Sequence, residues 1–246
     1  VSRHNGNSSK LLDLADIGQP EGWLRNLYVY QHYVLLAAFN GVVIYDLNSN
    51  SHQYLHHVDP NHSNADQQHV KVLDIQHDKL WIGTVEGLYS VALQQLLDFL
   101  QQQTPYQVKT EIPGFNIWQL LWQNNEALIP TELGLYRFTP ATGDTTALLA
   151  FSDAGLGLAD NSMLDIVADK DGGYWLASRD DGAYYWHPRS RAFSQLGYSS
   201  TASNGLSNDK VFSLLQDNGT LWAGTANGLN KIQLSDNTEH SYFASN

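Results

Sequence analysis

Short apolar stretches recur along the chain in pairs, each pair joined by a turn that ends in glycine. VLLAA (34–38) leads to GVVIY (41–45), LWIGT (80–84) to GLYSV (87–91), and ALIPT (127–131) to GLYRF (134–138). YWLAS (174–178) leads to GAYYW (182–186), and LWAGT (221–225) to GLNKI (228–232). The glycines are Gly41, Gly87, Gly134, Gly182 and Gly228, at spacings of 46, 47, 48 and 46 residues. One unit written five times accounts for the chain from about residue 22 onward.

The unit is β rather than helical. Its apolar runs are five to seven residues long, rich in aromatic and β-branched types, and bounded by Gly, Asn and Asp. Asn40-Gly41, Asp181-Gly182 and Asn227-Gly228 suit tight hairpins, whose backbone needs positive φ. An innermost strand precedes each pair, as in NIWQLLW (116–122), MLDIVAD (163–169) and VFSLLQD (211–217). A fourth follows it, as in SHQYLHH (51–57), DTTALLAF (144–151) and RAFSQLGY (191–198). Four strands in a repeat of roughly 47 residues are the signature of a β-propeller blade. The expectation is therefore an all-β, single β-propeller domain over 1–246, with four-stranded antiparallel blades at about 22–58, 68–111, 115–151, 161–198 and 208–245. Two departures stand out. Pro130 takes the place of Gly83 and Gly224 in a second strand, where a missing N–H predicts a bulge. In VALQQLLDFLQQQ (91–103), Leu93, Leu96, Leu97 and Leu100 fall at helical spacing, which predicts a short helix packed on the flank of the second blade.

NGLSNDKVFSLLQDNGTLWAGTANGLNKI (204–232) and LGLADNSMLDIVADKDGGYWLASRDDGAYYW (156–186) resemble the two-component regulator propeller repeat. The resemblance extends more loosely over the other three units, about 90% of the chain in all. It implies an extracytoplasmic sensor region of a membrane-bound histidine kinase or diguanylate cyclase, placed in the periplasm, with oligosaccharides as one ligand class. Propellers of that family commonly have seven blades. Strand candidates lie at both ends here, LLDLAD (10–15) and TEHSYFAS (238–245), so the expectation is a segment of a longer array.

Composition narrows the function further. With 13 basic and 25 acidic residues the net charge is -12, which argues against a nucleic-acid partner, because such binding rests on cations displacing counterions. No cysteine is present, so disulfides and thiolate metal sites are excluded. No apolar run approaches the roughly 18–20 residues that span a bilayer, so membrane contact is expected only through the rest of a parent protein. VSRHNGNSSK at the start lacks the layout of a signal peptide. Any targeting segment was removed, or the chain is a piece of something longer.

Candidate chemistry is sparse. Nucleophile-elbow, Walker and Rossmann patterns are missing, and no acid–base pair stands out. Asp217-Asn218-Gly219 resembles part of a sialidase Asp-box but reads better as a turn, and Asp169 with Asp171 lacks the further oxygens of a calcium loop. His52, His56, His57, His62, His69 and His77 crowd one region without metal-ligand spacing. No cofactor is expected. Trp81, Trp175 and Trp222 share one place in the repeat, and Trp186 shares another with Tyr45, Val91, Phe138 and Ile232, so these predict core. Trp23, Trp118 and Trp122 have no such counterparts and are the aromatics available to stack on a ligand.

In a propeller, the loops between second and third strands open on the same face as the links into each inner strand. That places a polar mouth at Asn40, Glu86, Glu132, Arg179, Asp180 and Asn227, with Arg25, Asn116 and Trp118 near inner-strand starts. Its mixed charge suits an oligosaccharide or other small molecule, or a periplasmic protein. The expected function is ligand or partner sensing without catalysis. The alternatives are a propeller lyase or hydrolase acting on a carbohydrate or lactone, and an interaction scaffold. Glu86 and Glu132 are the carboxylates to watch for the enzyme reading.

Overall fold

In each repeat the second and third strands meet at a tight turn, and the flanking strands add one to either side. The computed structural model describes residues 2–4, 9–11, 24–39, 41–55, 69–150, 162–189, 193–198, 205–236 and 238–243. They fall into two compact units, Val1–Ile117 and Trp118–Asn246.

The first unit begins with a two-stranded antiparallel ribbon, β1 (Ser2–His4) and β2 (Ser9–Leu11). Thus residues 9–11 pair with 2–4, where an outer strand was expected over 10–15, and the rest of that stretch lies outside the described residues. Blade 1 is β3 (Asn26–Tyr30), β4 (Tyr33–Ala38), β5 (Gly41–Asp46) and β6 (Ser51–Leu55), paired in that order. Blade 2 is β7 (Val72–Gln76), β8 (Lys79–Gly83), β9 (Gly87–Ala92) and β10 (Val108–Pro113), with α1 (Leu93–Gln102) between its last two strands. Leu96 and Leu100 of α1 are buried, and Leu93 and Leu97 pack beside them against the apolar cluster of blades 1 and 2. The Leu100 carbonyl also accepts a 2.9 Å bond from Gln53 Nε2 of β6. The helix therefore clamps the outer strand of blade 1, the flank role its leucine spacing predicted.

The second unit holds three blades. Blade 3 is β11 (Leu121–Gln123), β12 (Glu126–Thr131), β13 (Gly134–Thr139) and β14 (Asp144–Ala150). Blade 4 is β15 (Met163–Ala168), β16 (Tyr174–Ser178), β17 (Ala183–Trp186) and β18 (Phe193–Leu196). Blade 5 is β19 (Val211–Asp217), β20 (Thr220–Thr225), β21 (Gly228–Gln233) and β22 (Thr238–Tyr242). All ten blade strands of the second-and-third type pair antiparallel, and five four-stranded sheets in succession give the all-β, β-propeller fold class. Four of the repeat glycines open a third strand and Gly182 stands immediately before β17; all five have positive φ, so their hairpins are equivalent.

Pro130 acts differently from the expectation. β12 runs through it without a bulge, opposite Leu135 of β13. The cost falls instead on the inner strand: β11 keeps only three residues, Leu121 pairing with Leu128, and pairing stops before the Gln119 level that faces Pro130. Without its N–H, proline cannot extend that ladder.

Burial also revises two of the tryptophan assignments. Trp81 is wholly buried (0% exposed), as are its fellow core residues Val91 and Phe138, whereas Trp175 and Trp222 are half-buried. Trp222 pairs across the sheet with Leu215, itself 60% exposed, so the place in the repeat alone does not bury the ring.

Consecutive blades are tied by a polar side chain at one level of the inner strand. In blade 1, Asn26 Oδ1 accepts the Leu73 N–H of blade 2 at 3.3 Å. In blade 4, Asp165 Oδ2 accepts the Leu214 N–H of blade 5 at 2.7 Å, while Oδ1 accepts the Ile166 N–H and Gln119 Nε2 of blade 3. Burial pushes the Asp165 carboxyl above the usual carboxylate range, although the three donors oppose it. An acid with a raised folded-state pKa stabilises the fold fully below its unfolded value near 4 and loses that contribution as pH rises through the folded value. The stability of wild type relative to Asp165→Asn should therefore fall as pH rises from about 4 to neutrality, measured by urea unfolding at constant salt. A difference independent of pH would show that the carboxyl does not titrate in this window.

Candidate functional site

The hairpins between second and third strands are fastened by hydroxyls that the sequence reading did not single out. Thr84 Oγ1 accepts the Glu86 N–H at 3.0 Å and donates to the Gly87 carbonyl at 3.2 Å. Thr131 does the same for the Leu133 N–H and Gly134 carbonyl, and Thr225 for the Asn227 N–H and Gly228 carbonyl. Ser178 Oγ accepts from the Asp180 and Asp181 N–H groups. A Ser or Thr ahead of the glycine was visible in four repeats; blade 1 has Ala38 there. Short polar side chains bonding back to turn amides replace the backbone bonds that a tight turn lacks.

In the first unit, Glu86 is exposed at the tip of its hairpin, and its carbonyl accepts the Gly114 N–H at 2.7 Å. Asn116 follows that link, next to Ile117, whose N–H donates to the Thr84 carbonyl. The structure thus brings Glu86 and Asn116 to one hairpin. Arg25 lies apart from them, held through its N–H to the Ala37 carbonyl. With Phe39, His69 and Lys71 it lines a cleft of about 230 Å³. Burial, then the charges of Lys71 and Arg25, hold the His69 imidazole below its usual range, so its neutral form is favoured. Phe39 and His69 rings lie 3.8 Å apart in this wall. Asn40 and Trp23 lie outside the described residues, as do His56, His57 and His62. Among the described residues no three His, Asp or Glu side chains gather as a metal site would require.

In the second unit, the Arg179 guanidinium stands over the Trp118 ring, 5.5 Å from its centroid. One comes from the β16–β17 hairpin of blade 4 and the other from the link into β11 of blade 3, which is the juxtaposition the topology predicted. A cation over an indole is attractive and presents a flat, polar-edged surface. Asp180 is exposed beside it and reaches Lys210 Nζ at 3.9 Å. Asn227 caps the β20–β21 hairpin, with Nδ2 3.4 Å from the Ser207 carbonyl. Glu132 sits half-buried in the β12–β13 hairpin of blade 3. Glu86 and Glu132 belong to different units. Trp122, the remaining unrepeated tryptophan, is half-buried in β11.

Comparison with known proteins adds to this geometry. Residues 205–227, which span β19, β20 and the turn leading to β21 of blade 5, match the model of the family "Two component regulator propeller". The match lies within blade 5, one of the five repeats. No curated protein sequence matches it. Among solved structures it is similar to the extracellular domain of a B. thetaiotaomicron protein described as a one component system, at 18% identity and a TM-score of 0.67, over 85% of this chain and 27% of that one. It is similar also to an extracellular domain from the same organism described as a hybrid two component system (15% identity, TM-score 0.64, 91% of this chain and 28% of that one). A third is PorZ, a surface component of the type-IX secretion system of Porphyromonas gingivalis (15%, TM-score 0.58, 85% of this chain and 32% of that one). At these identities the likeness is one of fold, and the chain spans about a third or less of each structure. Among the described residues no helix is long and apolar enough to cross a membrane.

Proposed function

We propose that this propeller segment is the periplasmic sensing part of a membrane-bound signalling protein, and that it binds an oligosaccharide, another small molecule or a periplasmic protein without turning it over. The observation that carries the reading is the two component regulator propeller repeat of blade 5. The naming of two similar structures as extracellular domains of one component and hybrid two component systems supports it. Within the second unit, the Trp118 ring and Arg179 guanidinium offer stacking and donor groups, and Asp180 on the Arg179 hairpin and Asn227 on the next one add acceptors. That mixture suits a ligand with rings and hydroxyls better than a polyanion. The reading needs no cofactor, because recognition by stacking and hydrogen bonds requires none.

Tryptophan fluorescence titrated with a panel of oligosaccharides tests it, followed by chromatography of the incubated sugars. Binding with no new products is expected, and Arg179→Ala or Trp118→Ala should weaken it about tenfold, the equivalent of about 1.4 kcal/mol. Cleavage that disappears in Glu86→Gln would overturn the reading in favour of a carbohydrate lyase or hydrolase.

A further inference from the structure

The junctions between successive blades of the second unit are built alike, so they can be compared register by register. Between blades 3 and 4, Tyr174 of β16 and Trp186 of β17 face each other as a cross-strand pair, ring centroids 5.6 Å apart. The Tyr174 hydroxyl donates to Gln123 Oε1 across the junction. Together they fill it, and a cleft of about 180 Å³ remains. At the same register in blade 5 stand Leu221 and Ile232, also a cross-strand pair but far smaller. Both are enclosed in the apolar cluster shared by blades 4 and 5, and neither carries a hydroxyl to reach the preceding blade. Outside that cluster a cleft of about 560 Å³ opens between blades 4 and 5, on the rim formed by the β15–β16, β19–β20 and β21–β22 turns and away from the hairpin tips that carry Arg179 and Asn227.

What lines this opening is suited to recognition. The Trp175 and Tyr185 rings form one wall, centroids 5.1 Å apart, and the Trp175 indole N–H donates to none of the described residues. Asp169 stands at the level of Gln123 in blade 3. Its carboxylate is aimed by three donors, the Lys170 N–H at 2.7 Å, the Tyr185 hydroxyl at 3.1 Å and Gln216 Nε2 at 3.1 Å, which leaves one of its four acceptor sites for a ligand. Asp171, Asn218 and Gln233 complete the rim. The volume lies within the roughly 300–1,000 Å³ of small-molecule sites.

We propose that the cleft between blades 4 and 5 is a second binding site, taking a neutral, hydroxyl-rich ring compound of mono- or disaccharide size. The aromatic wall takes the apolar face of such a ring, and the oriented Asp169 carboxylate with the Asn218 and Gln233 amides takes its hydroxyls. Lys170 on the same rim balances part of the acidic charge, which sets the site apart from one for a cation. The site stands independently of the hairpin face discussed above.

The test uses maltose, cellobiose and N,N′-diacetylchitobiose as probes, followed by ligand-observed NMR on the whole chain at sugar concentrations up to about 10 mM, which would fill even a millimolar site. Saturable binding of at least one sugar is expected. Trp175→Ala, which removes the aromatic wall, should weaken that binding at least tenfold. Asp169→Asn, which keeps the side-chain volume, should weaken it about tenfold and guards against misfolding of the first variant. Arg137→Ala, in the smaller cleft between blades 3 and 4, should leave it unchanged. Binding to none of the probes, or binding that survives both Trp175→Ala and Asp169→Asn, would overturn the proposal.

Discussion

Replacing Trp81 with alanine is expected to lower the unfolding free energy by about 3–5 kcal/mol, the range for truncating a fully buried aromatic. Every part of the ring is enclosed: it is 0% exposed, its Nε1 donates to the Gln76 carbonyl at 3.0 Å, and Lys79 Nζ lies 5.0 Å above it. Truncation would leave a cavity in a β-sheet core that relaxes only in part, and would strip the Gln76 carbonyl of a donor. Trp222 occupies the same place in its repeat but is half-buried, stacked on the half-exposed Tyr242 at 6.2 Å. Trp222→Ala should therefore cost distinctly less, about 1–2 kcal/mol, because less apolar surface returns to water. Chemical denaturation of the two variants side by side measures the contrast. Equal losses would mean that position in the repeat, rather than burial, sets the energy.

A comparably large effect is expected at Gly182. Its φ is +76°, and a Cβ built there would lie 2.2 Å from the Leu196 carbonyl oxygen and 3.0 Å from the Gly197 Cα. Both obstacles are backbone, at the end of the fourth strand and just past it, and cannot rotate aside. Gly182→Ala should cost about 3 kcal/mol or more, combining left-handed strain with displacement of β18 from β17. Gly172 in the same blade is the control: its φ is +84°, but an added Cβ would meet nothing within 4 Å. Gly172→Ala should cost only the backbone strain, about 1 kcal/mol. If the two substitutions cost the same, close approach of β18 plays no part in the choice of glycine.

These contrasts explain how much of the molecule was legible beforehand. The period, the hairpin glycines and the leucine spacing of α1 are local patterns, so they led directly to five four-stranded sheets and a flanking helix. Three features depended on neighbours that a single repeat does not contain. Pro130 leaves its pairing with β13 intact and shortens β11, because the N–H that proline lacks is missed by the inner strand facing it. Trp175 and Trp222 match Trp81 in the sequence, but burial is decided by what stands on the far side of the sheet. The junction cleft emerges only when the turns of blades 4 and 5 are set side by side, because Trp175 and Tyr185 of one blade face Asn218 and Gln233 of the next. Of the predicted mouth, Trp118 with Arg179 and Glu86 with Asn116 were brought together, because the second-to-third hairpins and the inner-strand links share one end of each blade. Arg25 went to a separate cleft with Phe39 and His69.

The hydroxyl-fastened hairpins carry a further consequence. Since Thr84, Thr131, Ser178 and Thr225 hold their turns through backbone amides and carbonyls, the residues between hydroxyl and glycine contribute almost nothing to the turn's own cohesion. Val85-Glu86, Glu132-Leu133, Arg179-Asp180-Asp181 and Ala226-Asn227 are in effect interchangeable tips on standard sockets. Such a surface can be rewritten one blade at a time while the frame beneath stays folded. Under the sensing role proposed above, each new tip would change what is recognised, and ligand preference would diverge between proteins that share little more than the socket.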